Sequence, residues 1–288
     1  MRSLSDLKGG LIILKEMVAH LPNSERKIAE YVIENPEESI QMTAMALGKA
    51  SQTSSAAVIR MCKSLGFKSF QEFKLRVAGD LQVESSTDYR DIEPHESFDN
   101  IIEKATSNTM QTLKETVDIL DSKRLKQAIE CLIEAESIIF VGFGASYIAA
   151  KDAEQKFVRI NKHVQAFSDL HMAATTVANK GEKDVVVGIS FSGETNEVAK
   201  VLGLAKKNGT KTISITKYGR SKVADLSDIT LHTSAAREAT FRSGATSSRI
   251  AQLHIIDMLF MCLASVQYEQ AVDYIDQTRE AISYIRDE

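Results

Sequence analysis

The sequence predicts an all-α helix-turn-helix domain joined to an α/β domain with a parallel, doubly wound sheet of five strands. Short amphipathic segments bounded by capping residues occupy the first 80 residues, whereas short β-branched runs alternate with helical segments after residue 137. A polar, acidic stretch broken by Pro94 separates the two patterns. We therefore predict a helix-turn-helix domain over 1–80, a linker over 81–97, the α/β domain over 98–268 and a C-terminal helix over 269–288.

The composition is that of a globular protein. Of the 288 residues, 43% are apolar and 26% are charged, and no apolar run approaches the roughly 20 residues of a membrane span. No signal-peptide pattern is visible, so we expect a cytoplasmic protein with no membrane partner. Cys62, Cys131 and Cys262 form neither a disulfide framework nor a zinc pattern, so we expect them to pack, and we predict no metal or cofactor.

A local basic patch lies near the start of a chain whose net charge is −4. Between residues 49 and 76, six cationic residues face a single acid, Glu72. The six are Lys49, Arg60, Lys63, Lys68, Lys74 and Arg76. Such a patch is the electrostatic footprint of nucleic-acid binding, and a solvated basic face is the alternative.

Two short helices inside this patch have the order and spacing of a helix-turn-helix. Thr43 is placed to cap the first helix and Ser54 to cap the second, which runs to Leu65. The apolar side of the second helix is expected to comprise Val58, Ile59, Met61, Cys62 and Leu65. A helix pair used only for dimerisation is the alternative.

In a helix-turn-helix the start of the second helix enters the major groove. The candidates for contacts to base edges are therefore Gln52, Thr53, Ser54 and Ser55, whose side chains can read donor and acceptor patterns. The long cationic side chains suited to phosphates are Arg60, Lys63, Lys68 and Lys74.

Residues 184–196 read Asp-Val-Val-Val-Gly-Ile-Ser-Phe-Ser-Gly-Glu-Thr-Asn, a strand-like run followed by a hydroxyl-rich loop and a helix. Ser190, Ser192 and Thr195 can donate hydrogen bonds, and Gly193 lets the backbone approach a ligand. The helix start adds free amides and the positive end of its dipole. We expect this loop to bind an anion such as phosphate; the alternative is that its Ser and Thr residues only cap the helix.

A second glycine loop follows the first predicted strand. The five strands are expected at 138–141, 163–167, 185–189, 212–216 and 229–232. Residues 142–146 read Gly-Phe-Gly-Ala-Ser, which places Gly144 and Ser146 at the carboxyl end of the first strand, where ligands bind in parallel sheets. A third glycine and an acid closing the second strand are both missing, which argues against a dinucleotide site.

Residues 54–73 resemble the winged-helix-type DNA-binding domain of the RpiR family of bacterial transcriptional regulators. The resemblance is carried by Arg-x-Cys-Lys-x-Leu-Gly-Phe-x-x-Phe-x-x-Phe, which begins at Arg60. The sequence departs from the family at Ala57, where Thr is frequent, and at Gln52, where Gly is common.

The two glycine loops together, Gly-x-Gly-x-Ser and Ser-x-Ser-Gly-x-Thr, resemble the SIS (sugar isomerase) domain, a flavodoxin-like fold. This resemblance covers about residues 97–266 and implies phosphosugar binding. By motif match, the hydroxyls of Ser190, Ser192 and Thr195 hold the phosphate and Ser146 faces the sugar. In the later segment 237–249, Glu238 can accept from sugar hydroxyls and Arg249 can add charge near the phosphate, with a surface salt bridge as the alternative for the arginine.

The two resemblances together imply a DNA-binding transcriptional regulator whose SIS domain senses a phosphosugar. N-acetylmuramic acid 6-phosphate is the effector that the resemblance suggests, and the alternative function is a phosphosugar isomerase that uses Glu238 as its base. The fused helix-turn-helix favours a sensor over an enzyme. Operator DNA is the expected macromolecular partner, and a homodimer or homotetramer is expected because such proteins read two half-sites. The residues do not determine whether the chain represses or activates.

Overall fold

The computed structural model of the chain describes residues 9–81, 94–234 and 245–286. These residues form two compact units. The first contains the described residues up to Leu120 together with Ser234 and 245–247, and the second contains 121–233 and 248–286. The long helix over 98–119 thus belongs to the first unit. The division of the chain at residues 80, 97 and 268 stays a prediction.

The first unit is all-helical in its described part, as the sequence predicts. Its helices are α1 (Gly10–Met17), α2 (Asn23–Glu34), α3 (Pro36–Gln41), α4 (Ala44–Ala50), α5 (Ser55–Ser64), α6 (Phe70–Asp80) and α7 (Phe98–Ile119). Helices α2 and α5 pack through Ile28, Val32, Val58 and Met61, all of them fully buried. Cys62 is buried in the same core, and this burial raises the pKa of its thiol to about 12, so the side chain acts as a packed apolar group.

Both predicted caps of the helix-turn-helix are present. The hydroxyl of Thr43 accepts a hydrogen bond from the amide of Ala46 at 3.1 Å, and that of Ser54 accepts from the amide of Ala57 at 3.2 Å. Helices α4 and α5 approach so closely that a β-carbon at Gly48 would lie 2.7 Å from the carbonyl carbon of Ser54. Glycine is therefore required at position 48 for this pair of helices to pack.

The second unit is built on the predicted five-stranded sheet, with every pair of neighbouring strands parallel. The strands are β1 (Ser137–Gly142), β2 (Val164–Phe167), β3 (Asp184–Ile189), β4 (Lys211–Lys217) and β5 (Ile229–Thr233), in the order β2-β1-β3-β4-β5. The helices are α8 (Ser122–Glu134), α9 (Ala145–Val158), α10 (Leu170–Val177), α11 (Asn196–Lys207), α12 (Lys222–Asp225), α13 (Ser247–Val266) and α14 (Tyr268–Arg286).

The sheet is covered on both faces, which explains why its strands are continuous apolar runs. On one face, Ile139 and Val186 pack in a buried cluster with residues of α10 and α11 such as Val177 and Leu202. On the other face the ring of Phe140 lies 5.8 Å from that of Phe157 in α9. The doubly wound architecture predicted from the sequence is confirmed.

Helix α13 is the one described helix that is long and apolar enough, by length and composition alone, to cross a bilayer. Its residues Ile255, Leu259 and Leu263 are buried within the second unit. The ring of Phe260 packs 5.9 Å from that of Phe157. This burial is typical of the core helix of a globular domain.

Candidate anion site and candidate DNA-binding surface

The two glycine loops of the second unit follow neighbouring strands and therefore start next to each other. In the β1–β3 ladder, Gly142 pairs with Ile189, so the residues that follow each of them emerge at the same level of the sheet. The chain crosses from β1 to β2 on one side and from β3 to β4 on the other. This pair of strands is therefore the topological switch point of the sheet, where open α/β folds bind ligands.

Two hydroxyls meet at the end of β3. The Ser190 side chain is almost fully buried, and its Oγ lies 2.8 Å from the Oγ1 of Thr195. The same Ser190 Oγ accepts a hydrogen bond from the amide of Gly193 at 3.1 Å. Thr195 is the residue before α11, yet its side chain makes no capping hydrogen bond to that helix. For Thr195, capping is thus not the role of the hydroxyl.

The loop that carries these hydroxyls is held by backbone hydrogen bonds to the neighbouring strand and helix. The amide of Ser190 donates to the carbonyl of Ile215, and the carbonyl of Gly193 accepts from the amide of Val223 at 3.0 Å. Ser192 is exposed at the tip, where its hydroxyl accepts from the amide of Glu194 at 3.2 Å. The tip is therefore a fixed loop with one hydroxyl in solvent.

The loop after β3 contains one carboxylate, and this carboxylate is paired with a lysine. The one carboxylate within the loop, that of Glu194, accepts the amide of Lys222 at 3.4 Å, and its other oxygen lies 3.5 Å from the Lys222 ammonium. Glu194 is thus neutralised from the α12 side. The start of α11 adds the positive end of a twelve-residue helix to the same loop.

The loop after β1 carries one hydroxyl at the neighbouring strand end. Gly144 has a φ of +55°, and a β-carbon there would meet nothing within 4 Å, so glycine serves the backbone conformation while the space beside it is open. Ser146 lies in the first turn of α9 and accepts a hydrogen bond from the side-chain amide of Gln252 at 3.1 Å. Gln252, on α13, is almost fully buried and was not predicted as a site residue.

The remaining predicted ligand residues lie on or before α13. Arg249 is half-buried one helical turn before Gln252, so both side chains project from the same side of the helix. Among the described residues its side chain has no hydrogen-bond or ion-pair partner, and both the predicted ligand role and the alternative of a surface salt bridge stay open. Glu238 lies outside the described residues, and its role stays a prediction.

Together these groups make the switch point a candidate anion site. Hydroxyls come from both loops, and the helices α9 and α11 begin directly after them, each with the positive end of its dipole at the loop. Hydroxyls and amides at the start of a helix favour the binding of phosphate, because the oxygens of a single phosphate group accept several hydrogen bonds. Gln252 also donates to Ser146, so the Ser146 hydroxyl hydrogen can point to a ligand that only accepts.

In the first unit, α5 exposes a single face. Ser55, Ala56, Ile59, Arg60 and Lys63 are exposed, whereas the intervening residues of the same helix are buried. The buried set is Ala57, Val58, Met61 and Cys62. The prediction that Ile59 belongs to the apolar core side is wrong: its side chain is 41% exposed because it lies four residues after Ser55, on the same face as Lys63.

The four candidates for base contacts lie together in and after the turn, but they are not equivalent. The hydroxyl of Thr53 lies 3.0 Å from that of Ser51, inside the turn, and the hydroxyl of Ser54 caps α5. Gln52 and Ser55 are exposed, and neither side chain has a hydrogen-bond partner among the described residues. Gln52 has a φ of +53°, the left-handed conformation that favours glycine.

The cationic candidates also divide into two groups. Lys63 and Lys68 are exposed, whereas the guanidinium of Arg60 lies 3.8 Å from the buried carboxylate of Glu25 on α2. Ser64 donates to the other oxygen of Glu25 at 2.7 Å. Lys74 donates to the carbonyl of Met42 at 3.1 Å. Lys63 and Lys68 are therefore the predicted phosphate contacts that no described partner restrains.

Two family models match the chain. Residues 8–84 match the helix-turn-helix domain of the RpiR family, and residues 131–262 match the SIS domain. The second match spans both glycine loops, and the first spans α1 to α6.

Relatives match along nearly the whole chain. The HTH-type transcriptional regulator YbbH of Bacillus subtilis is 47% identical over 278 residues, which cover 96% of this chain and 98% of YbbH. HexR of Escherichia coli, also an HTH-type transcriptional regulator, is 30% identical and covers 95% of this chain and 94% of its own. Among solved structures, NanR of Vibrio vulnificus complexed with ManNAc-6P matches with a TM-score of 0.60 and 27% identity, over 95% of this chain and 98% of that chain.

Proposed function

Since the chain belongs to the RpiR family of helix-turn-helix transcriptional regulators and carries a SIS domain, we propose that it binds operator DNA and that a phosphosugar changes its affinity for the operator. The observation that carries the proposal is the paired hydroxyls of Ser190 and Thr195 at the switch point of the sheet, 2.8 Å apart and beside the Ser146 loop. These hydroxyls are the phosphate donors in our proposal, with Ser192 as the donor from the loop tip.

The sugar part of the effector is the second element of the proposal. NanR, which is similar to this chain over nearly its whole length, was solved in complex with ManNAc-6P, an amino-sugar phosphate. This likeness supports the class of amino-sugar phosphates, of which N-acetylmuramic acid 6-phosphate is a member. Arg249 supplies positive charge near the phosphate, and Glu238 accepts from the sugar hydroxyls.

We propose sensing rather than turnover. A SIS isomerase needs a base next to the sugar carbons, and Glu238 is the candidate for that role. The fused helix-turn-helix and the full-length regulator relatives support a chain that binds the sugar without converting it. Incubation with aldose and ketose phosphates, with Glu238→Gln as control, tests this: turnover by the wild type and none by Glu238→Gln identifies an isomerase.

A regulator of this kind works in the cytoplasm as a homo-oligomer. Two half-sites of an operator require two recognition helices, so a dimer or a dimer of dimers fits the proposed function. The C-terminal helix α14 supports an assembly, since Ile282 is 49% and Ile285 73% exposed in the single chain. Light scattering coupled to size-exclusion chromatography measures the oligomeric state, and a monomer at micromolar concentration contradicts this part of the proposal.

The central experiment is a titration of DNA binding with phosphosugars. Gel shifts with the DNA upstream of the chain's own gene, at fixed salt, are repeated with N-acetylmuramic acid 6-phosphate, ManNAc-6P, glucose 6-phosphate and inorganic phosphate. We expect one amino-sugar phosphate to change the affinity for DNA, and by linkage DNA changes the affinity for that sugar by the same factor. Absence of sequence-specific DNA binding at low and moderate salt contradicts the proposal.

A matched pair of variants ties the response to the loop. Ser192→Ala removes the exposed loop hydroxyl and is expected to abolish the sugar response while DNA binding is retained. Ser122→Ala, which removes an exposed hydroxyl at the start of α8, is the control and is expected to respond like the wild type. A full response by Ser192→Ala places the phosphate elsewhere.

A further inference from the structure

Ile59 is a large apolar residue at the centre of the exposed face of α5. The face carries Ser55 and Ala56 in the first turn, Ile59 and Arg60 in the second, and Lys63 in the third. With a 41% exposed side chain, Ile59 is the one large apolar residue on it. Single exposed apolar residues are common on proteins, so its exposure alone carries no conclusion.

The position of Ile59 is what distinguishes it. Ile59 lies one turn into α5, the second helix of the helix-turn-helix, which follows the turn at Gln52 and is capped by Ser54. In helix-turn-helix proteins the start of this second helix enters the major groove. Ile59 follows Ser55 by four residues, so the two side chains are neighbours along the helix surface. Lys63 follows Ile59 by four more and brings positive charge to the same row. The positive charge of Lys63 in this row suits the phosphates of DNA. It suits a partner protein that offers only an apolar pocket less well.

The side chain of the neighbouring Arg60 points away from the row of Ser55, Ile59 and Lys63. Its guanidinium is turned toward Glu25 on α2, 3.8 Å away, while Ser64 donates to the same carboxylate. Ile59 is therefore the second-turn side chain that continues the line from Ser55 to Lys63. In the major groove, the one apolar group that a base pair presents is the 5-methyl of thymine.

We propose that Ile59 contacts a thymine 5-methyl group in each operator half-site, with the methyl of Ala56 beside it, and that it thereby sets part of the sequence preference. This inference rests on the proposed DNA-binding function. Ser55 and Gln52 read hydrogen-bonding edges of adjacent base pairs, and Lys63 holds the phosphate backbone. The chain thus prefers a thymine at a fixed distance from each half-site centre.

The test removes the thymine 5-methyl group from the DNA and, separately, shortens the Ile59 side chain of the protein. A duplex is first selected by the wild-type chain from a library of random duplexes. Each thymine in it is then replaced singly by deoxyuridine, which lacks only the 5-methyl. Affinities are measured at fixed salt for the wild type, Ile59→Ala, Ile59→Val and Met45→Ala. Met45 is the control because it is 75% exposed but lies on α4.

We expect at least one thymine whose replacement weakens wild-type binding by about fourfold, the effect of burying one methyl group. At that position Ile59→Ala is expected to bind the thymine and deoxyuridine duplexes equally, whereas Ile59→Val and Met45→Ala keep the difference. Thermal unfolding of each variant verifies that it is folded.

Three results overturn the inference, and they are distinguishable. Selective DNA binding that no deoxyuridine replacement weakens overturns the contact to thymine and leaves the proposed function standing. An undiminished thymine effect in Ile59→Ala assigns the contact to another residue. Failure of the wild type to select any duplex overturns both the inference and the proposed function.

Discussion

Gly193 and Ser221 are packed so closely that a β-carbon on Gly193 would overlap the Ser221 hydroxyl. Gly193 also has a φ of +70°, in the left-handed region. Ser221 cannot readily move away, because its hydroxyl accepts from the amide of Ala224 and caps α12. The loop of the anion site is thus seated directly on the start of α12, and glycine is required at position 193 for both space and conformation.

Gly193→Ala is therefore expected to destabilise the chain and displace the loop. Left-handed strain and overpacking each contribute on the order of 1–2 kcal/mol, so we expect a loss of about 3 kcal/mol in the free energy of unfolding. The sugar response is lost because the hydroxyls of Ser190 and Ser192 move. Chemical denaturation and phosphosugar titration measure the two effects.

Gly203→Ala is the matched control for this change. Gly203 lies inside α11, and a β-carbon there would meet nothing within 4 Å. Alanine is the better helix former, so the control is expected to gain about 0.5–1 kcal/mol and to keep the sugar response. Equal stability of the two variants would contradict the close packing at Gly193.

Gln252→Glu is expected to weaken phosphosugar binding more than removal of the polar group does. An ionised carboxylate only accepts, so it takes the Ser146 hydroxyl hydrogen that the ligand would otherwise accept, and it adds negative charge near the phosphate. We expect at least a tenfold loss of affinity by calorimetry. Gln252→Met leaves the hydroxyl free to rotate and is expected to lose only about threefold. A stronger loss in Gln252→Met would show that Gln252 acts through packing.

The sequence predicts local features well, because each depends on residues that are close together along the chain. The strand-like run at 185–187 and the caps Thr43 and Ser54 depend on residues within one turn or one strand, and all are present. The contact between Gln252 and Ser146 joins residues 106 positions apart, and no spacing in the sequence indicates it. Ile59 was misplaced because an apolar residue at the edge of a helical stripe can lie on either side of it.

Gln52→Gly is expected to stabilise the first unit while weakening DNA selectivity. Gln52 has a φ of +53°, which costs a residue with a β-carbon about 1 kcal/mol relative to glycine. Part of this gain is lost because glycine makes the unfolded chain more flexible, so a net gain of about 0.5 kcal/mol is expected. The same change removes the side chain that we propose reads the bases.

Thermal unfolding and duplex selection separate these two effects. Gln52→Ala, which removes the same side chain but keeps the β-carbon in the left-handed region, is the control and is expected to lose selectivity without gaining stability. A destabilised Gln52→Gly would show that the side chain contributes to the turn itself.

Because the pKa of His232 is lowered in the folded chain, we expect the free energy of unfolding to fall on mild acidification. The pKa of this imidazole is lowered to about 4, chiefly by desolvation and to a smaller extent by the charge of Arg124. The hydrogen bond to the Lys217 carbonyl and the charge of Asp121 oppose this shift only in part. The Nδ1–H donates to the Lys217 carbonyl at 3.2 Å, and the ring packs 4.8 Å from that of Tyr218. These contacts suit the neutral imidazole, and it is the loss of solvation that disfavours the protonated form in the folded state.

The sign of the effect follows from proton binding. Between pH 6.5 and 4 the unfolded chain binds a proton at His232 that the folded chain does not, so the free energy of unfolding falls as the pH falls through this window. Each pKa unit corresponds to about 1.4 kcal/mol, which gives an upper limit of about 3.5 kcal/mol for this one group. His232→Gln keeps a donor for the Lys217 carbonyl and is expected to flatten the decline, while His163→Gln serves as the control. Denaturation at several pH values measures the slopes, and proton NMR of the imidazole measures its pKa. A titration midpoint above 6 for His232 would contradict the desolvation.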